Sequence, residues 1–174
     1  NDTWEWDGNT WTQLMPAVVP GSRYRHAMAY DVARQRVVMH GGFYQFGWRL
    51  STWEWDGTSW MMRSPAVTPP RRNEHAMAYD VARRRVVMFG GSGLADTWEW
   101  NGTNWIARSP ASHPPPLSGH AMAYDVARGQ TVLFGDKGNE TWLWDGMSWS
   151  SLAAQHPSDR SRHAMVYHAA RQRT

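Results

Sequence analysis

Short runs of alternating bulky and small or polar residues recur along the chain, each closed by turn residues. In residues 75–79, His75, Met77 and Tyr79 alternate with Ala76 and Ala78, so an extended strand would carry bulky groups on one face and small ones on the other. Arg85 to Phe89 reads as a strand whose apolar run Val86 to Phe89 stops at Gly90-Gly91. Thr97 to Trp100 alternates again: Trp98 and Trp100 share one face while Thr97 and Glu99 point the other way, the pattern of a half-buried strand. A fourth strand is predicted at about Asn104 to Arg108, after the tight-hairpin signal Asn101-Gly102. Residues 75–108 thus read as four antiparallel strands, A to D. At the A-to-B corner Asp80 is placed to accept backbone N–H bonds, leaving Arg83 to project.

This unit repeats. His-Ala-Met-Ala-Tyr-Asp-Val-Ala-Arg stands at 26–34, 75–83 and 120–128, and returns as His-Ala-Met-Val-Tyr-His-Ala-Ala-Arg at 163–171. Thr-Trp-Glu-Trp-Asp-Gly begins at Thr3 and Thr52, and recurs from Thr97 with Asn101 and from Thr141 with Leu143. Each copy is followed by a further Trp: Trp11, Trp60, Trp105 or Trp149. Of the 13 Trp only Trp48 falls outside the repeat, so the tryptophans belong first to the scaffold. A period of about 40–50 residues is that of a four-stranded propeller blade. The predicted fold is an all-β propeller with blades at about 23–64, 72–109 and 117–153, and a split blade combining 1–15 with 160–174.

Composition narrows the function classes. The 174 residues are 41% hydrophobic and 19% charged, with 15 Gly and 10 Pro, which excludes a disordered chain and disfavours a helix bundle; no apolar run is long enough for a membrane span. The sequence has no Cys, so disulfides, thiolate metal sites and a Cys nucleophile are excluded. The net charge of +3 comes from Arg, with Lys137 the one lysine; without a basic tail this does not point to specific nucleic-acid binding. The chain lacks an initiator Met and a signal or lipidation segment, so its natural ends are expected to lie outside this sequence.

The pattern resembles the kelch repeat family, most closely its bacterial variant, on the strength of Gly41-Gly42, Gly90-Gly91 and the Trp11, Trp60, Trp105 and Trp149 series. Two positions depart from it: the third glycine pair is Gly135-Asp136, and the fourth corner Asp is His168. Kelch propellers typically close with six or seven blades. The resemblance therefore implies a window on a larger ring, with a gapped four-blade ring as the alternative. It also implies Arg and Ser contacts at the start of strand A in members that bind peptides.

Strand parity puts the D-to-A and B-to-C connections on one face. There the sequence varies, which is where recognition sits on a rigid scaffold. The candidates are Arg23, Tyr24, Arg25, Arg71, Arg72, Glu74, Arg160 and Arg162 before strand A, and Phe43, Tyr44, Phe46, Trp48 and Arg49 in the long B-to-C loop. Aromatics form contact anchors or sugar-stacking platforms, and guanidinium groups grip carboxylates or sulfates. The competing readings are aromatics folded back over the scaffold and solvated charge. His26, His75, His120 and His163 would form a ring around a central channel, with a metal role as the minor reading and scaffold packing as the main one. No phosphate loop, nucleophile elbow or zinc-protease motif is present. Kelch-type enzymes exist, copper oxidases and sugar epimerases among them, but none of their site motifs stands here.

The expectation is a non-catalytic module that recognises a protein or glycan, without a cofactor, in a bacterial secreted or surface protein. The alternatives are the propeller part of a carbohydrate-active or oxidoreductase enzyme with catalytic groups elsewhere, and a scaffold subunit of a larger assembly.

Overall fold

The computed structural model describes residues 1–45, 47–135, 140–153 and 157–174. The chain opens with a hairpin, β1 (Thr3–Trp6) and β2 (Trp11–Leu14), that forms a two-stranded sheet of its own. The first complete blade orders β3 (Ala27–Asp31), β4 (Arg36–His40), β7 (Thr52–Trp55) and β8 (Trp60–Arg63). Between its second and third strands, β5 (Phe43–Tyr44) and β6 (Gly47–Trp48) make a small hairpin. The second blade comprises β9 (Ala76–Asp80), β10 (Arg85–Phe89), β11 (Thr97–Trp100) and β12 (Trp105–Arg108). The third comprises β13 (Ala121–Asp125), β14 (Gln130–Phe134), β15 (Thr141–Trp144) and β16 (Trp149–Leu152). All pairings are antiparallel, and β3, β9 and β13 lie side by side as the innermost strands. The expected blade-like all-β repeat is present, and strands A and D each begin one residue later than their sequence signals.

Blades stack large face on small face. On one side of the second blade Met77, Tyr79, Val86, Met88, Trp98, Trp100 and Trp105 cluster with Val38 of the first blade. On the other, Ala76, Ala78, Val87 and Phe89 cluster with Met122, Leu133, Trp144 and Trp149 of the third. One indole hides about 150–250 Å², worth roughly 4–6 kcal/mol of gross burial at about 25 cal/mol/Å².

Strand C is not half-buried as its alternation suggests. Thr52, Glu54, Thr97 and Glu99 are as buried as the Trp beside them, because each takes an indole N–H from the next blade. Trp55, Trp100 and Trp144 donate Nε1–H to Glu5, Glu54 and Glu99 at 3.2, 2.9 and 3.2 Å. Trp60, Trp105 and Trp149 donate to Thr3, Thr52 and Thr97 at 2.9, 2.8 and 2.9 Å. A buried carboxylate needs charged partners as well. Glu99 has them in Arg108 (Nε at 2.9 Å) and Arg83. Arg83 therefore does not project freely as expected. It is tied to Asp80 and Glu99 and lies over the Trp144 ring.

The two departures in the repeat meet different fates. His168 does the work of the corner Asp, its Nδ1 accepting the Arg171 N–H at 3.1 Å where Asp31, Asp80 and Asp125 accept from Arg34, Arg83 and Arg128. Asp136 lies outside the described residues.

Replacing Glu99 by Ala takes the acceptor from Arg108 and the Trp144 indole and leaves Arg83 with Asp80. Urea unfolding should show a loss of about 3–5 kcal/mol, far above that of an exposed acid such as Asp56→Ala.

Candidate functional site

The D-to-A and B-to-C connections meet on one face, as strand parity requires. Tyr24 and Phe43 exchange backbone hydrogen bonds of 2.9 and 3.0 Å, while Gly42 and Gly91 donate to the carbonyls of Arg72 and Leu117 at 3.0 and 2.9 Å. The glycine pairs make this approach possible. A Cβ on Gly41 would stand 2.8 Å from the His75 ring of the next blade, and one on Gly91 would stand 2.6 Å from the Asn73 carbonyl. Both glycines also have positive φ, at 71° and 83°. The repeated His is thus first a spacer between blades. His75 packs edge-on against His40, His120 against Phe89 and His163 against Phe134, with ring centroids 5.7–6.0 Å apart.

The residues just before these histidines form a collar. Arg25, Glu74, Gly119 and Arg162 all have φ between 54° and 75°. They are linked by backbone bonds from Glu74 to Arg25 (3.0 Å), Gly119 to Glu74 (2.8 Å) and Arg162 to Gly119 (2.6 Å). With His26, His75, His120 and His163 they line a cavity of about 380 Å³. Glu74 accepts from Arg162 Nε at 2.8 Å and lies 3.2 Å from Arg25 Nε, so one carboxylate faces two guanidinium groups. Both arginines remain partly exposed and carry one net positive charge with Glu74. Among the described residues no three His, Cys, Asp or Glu side chains gather in a metal-binding group.

From this mouth an aromatic track runs outward. Arg25 lies over Tyr24 (5.7 Å), Tyr24 meets Phe43 edge-on (5.8 Å), Phe43 meets Trp48 edge-on (5.2 Å), and Arg71 covers Trp48 (5.6 Å). Tyr44 sits under Arg49 (5.8 Å) on the same small hairpin. Phe43, Tyr44 and Trp48 are half-buried and Tyr24 is exposed, so the aromatics partly cover the scaffold and partly face solvent. Phe46 lies outside the described residues.

Three of the candidate arginines are placed differently from these. Arg72 is fully buried, with a bidentate grip on Asp96 (2.8 and 2.6 Å) and a bond to the Gly90 carbonyl (2.9 Å). It fastens the loop and presents nothing to a ligand. Arg23 occupies the equivalent place in the first blade, bound to the Gly41 carbonyl and Ser51 Oγ, both at 3.2 Å. Burial, and then the nearby Arg49 charge, lowers its pKa to about 10. Arg160 is exposed and folds onto the Ser158 carbonyl at 3.1 Å.

Burial lowers the pKa of His26, His75 and His163 below the ordinary imidazole value. Burial, then the charges of His40, Arg72, His120 and His26, holds His75 well below the ordinary imidazole value. Neither of its ring nitrogens has a hydrogen-bond partner among the described residues. Burial followed by Arg23 lowers His26, and burial followed by Arg160 lowers His163. His40, which shares no spacing with the other histidines, occupies the strand-B position held by Phe89 and Phe134; aligning the three copies at their B-strands would have revealed it. Its Nδ1 pairs with Thr52 Oγ1 at 2.9 Å, and burial plus Arg72 and Arg23 lowers its pKa to about 3.

A scan against protein-family models finds no match, and a search of curated proteins finds no relative.

The lowered imidazoles make stability pH-dependent. His40 binds a proton in the unfolded chain below about pH 6.5 but in the folded chain only near pH 3. Stability from this group is therefore full above pH 6.5 and falls as pH drops towards 3. His40→Phe, which installs the residue of the other blades, should flatten the loss between pH 6.5 and 5 by up to about 1.4 kcal/mol per pH unit, measured by chemical unfolding at each pH.

Proposed function

We propose that the chain is a kelch-type recognition module, without catalytic groups of its own, and that it holds an anionic group of a protein or glycan at the collar while a neighbouring part of the same ligand lies along the aromatic track. The observation that carries this is the unbroken sequence of contacts Arg71, Trp48, Phe43, Tyr24, Arg25, Glu74 and Arg162, which joins a half-exposed aromatic strip to a positively balanced cavity. Aromatic anchors supply contact area at little entropic cost, and peripheral arginines add orientation and association rate. Four repeats and the glycine pairs support the kelch assignment. The resemblance to bacterial repeats supports placing the module in a secreted or surface protein.

Two probes suit the chemistry: a sulfated oligosaccharide and a Glu-rich peptide with one Tyr, each titrated calorimetrically at low and physiological salt. One of them should bind. Trp48→Ala should then raise the dissociation rate at least tenfold, and Arg162→Ala and Arg71→Ala should weaken binding most at low salt. Arg84→Gly, at an exposed turn on the opposite face where φ is 54°, should change nothing. Binding insensitive to Trp48 and Arg162 but lost with Arg84 would place recognition on the opposite face.

A further inference from the structure

The arginine three residues before the strand-A histidine is neutralised in the second blade and not in the first. In the second, Arg72 grips the Asp96 carboxylate with both terminal nitrogens, at 2.8 and 2.6 Å. Asp96 is the residue just before strand C, and that place holds Asp2 and Glu140 in two further copies of the repeat but Ser51 in the first blade. The first blade therefore has the arginine, Arg23, without the acid. It also carries a second cation. Arg49, in the long B-to-C loop, donates Nε–H to the Ser22 carbonyl at 3.3 Å, next to the Gly21 carbonyl that accepts from Arg23 Nε at 3.1 Å. Arg23 makes its other bonds to the Gly41 carbonyl and Ser51 Oγ, both at 3.2 Å. Every one of these acceptors is a neutral oxygen, and among the described residues neither guanidinium has a carboxylate partner. The terminal nitrogens of Arg49 have no hydrogen-bond partner among the described residues, and the group lies over the Tyr44 ring, 5.8 Å from its centroid. Burial, and then the Arg49 charge, lowers the Arg23 pKa to about 10, as expected of a cation beside a like charge and without a counter-charge.

We infer that Arg23, Arg49 and Ser51 form an anion site that is completed by the side-chain carboxylate of an acidic residue from a polypeptide partner. The second blade shows the chemistry, since there an aspartyl carboxylate just before an extended strand satisfies the matching arginine. A planar carboxylate suits the in-plane N–H pairs of the two guanidinium forks and offsets the repulsion between them. Ser51 Oγ already accepts from Arg23 and Trp53, which leaves its own O–H to donate to the incoming oxygen. A polypeptide is favoured over a free acid because the hairpin β5–β6 stands beside the pair, where its half-buried Tyr44 offers flanking contact surface. The site is separate from the collar and stands or falls independently of the reading given for it.

The probe is the blocked peptide acetyl-Gly-Tyr-Glu-Tyr-Gly-amide, titrated into the whole chain with 15N-labelled arginine side chains. The Nε–H signals of Arg23 and Arg49 should shift saturably with one peptide per chain, and Gln in place of the peptide's Glu should weaken binding at least tenfold. Ser51→Asp, which supplies the acid of the second blade, should raise the melting temperature of the free chain and weaken the peptide at least tenfold; Arg49→Gln, at a partly exposed position, should weaken it likewise. Arg162→Ala, which removes a cation from the collar, should leave the Arg23 and Arg49 shifts in place, so the two sites are judged separately. Acetate and sulfate, at equal ionic strength, should each bind at least tenfold more weakly than the peptide. No saturable shift at Arg23 and Arg49, or peptide binding that survives Ser51→Asp undiminished, would overturn the inference. Sulfate bound as tightly as the peptide would overturn it in favour of a sulfated glycan, and acetate bound as tightly would overturn it in favour of a free carboxylic acid.

Discussion

The indole N–H bond from each blade to strand C of the blade before it is the constraint on which this structure depends. A propeller-like stack has to bury three tryptophans per repeat, and a buried N–H without an acceptor costs about 1–3 kcal/mol. The sequence motif supplies each acceptor. The first Trp of strand C turns to its own chain, as Trp53 does to Ser51 and Trp98 to Asp96, at 2.9 and 2.7 Å. The second finds the Glu, and the strand-D Trp finds the Thr, of the preceding blade. Thr-Trp-Glu-Trp is in this sense both halves of a joint, with donors for one neighbour and acceptors for the other. Burying the Glu then demands cations, which explains why Arg63 and Arg108 close on Glu54 and Glu99 and why Arg83 of the same blade turns onto Glu99, where it also covers the Trp144 ring of the next blade.

The same close stacking shapes the candidate site. Blades can meet on the loop-rich face only where glycine lets a histidine ring and a backbone carbonyl approach, and this fixes the residue before each histidine in a left-handed conformation. Those four positions form the collar. Here the repeat tolerates variation, and Arg, Glu, Gly and Arg replace one another without disturbing the stack. The scaffold thus converts a conserved spacing between repeats into a ring of free positions, and the long hairpin β5–β6 extends that ring with aromatic surface on one side.

Much of this was legible in the sequence. Repeat spacing and alternation gave the strands of the three complete blades to within a residue, and parity gave the face on which the variable loops gather, whereas the fourth His-Ala-Met copy forms no strand and the loop after Gly42 forms the hairpin β5–β6. What stayed hidden depended on contacts between blades. Thr97 and Glu99 read as outward-facing because their acceptor role exists only once the next blade brings its indoles against them. Arg72 read as a ligand contact or solvated charge because its partner, Asp96, lies 24 residues away at the end of the B-to-C loop. Trp48, Arg71 and Tyr24 were singled out as separate candidates, but their joining into one track follows from the backbone pairing of Tyr24 with Phe43, which no local pattern encodes. His40 alone carried an unused signal, its alignment with two phenylalanines.

The claim that indole-to-acceptor bonds couple the blades is tested most directly by a double-mutant cycle on Trp149 and Thr97, whose side chains meet at 2.9 Å across the second and third blades. Unfolding free energies of Trp149→Phe, Thr97→Val and the double variant isolate the pair from the cavity that the smaller ring leaves. A coupling of about 1–3 kcal/mol, with the double variant less damaged than the sum of the single ones, is the result this account requires. Additive losses would show that the blades are held by apolar contact alone and that the Thr and Glu positions are incidental.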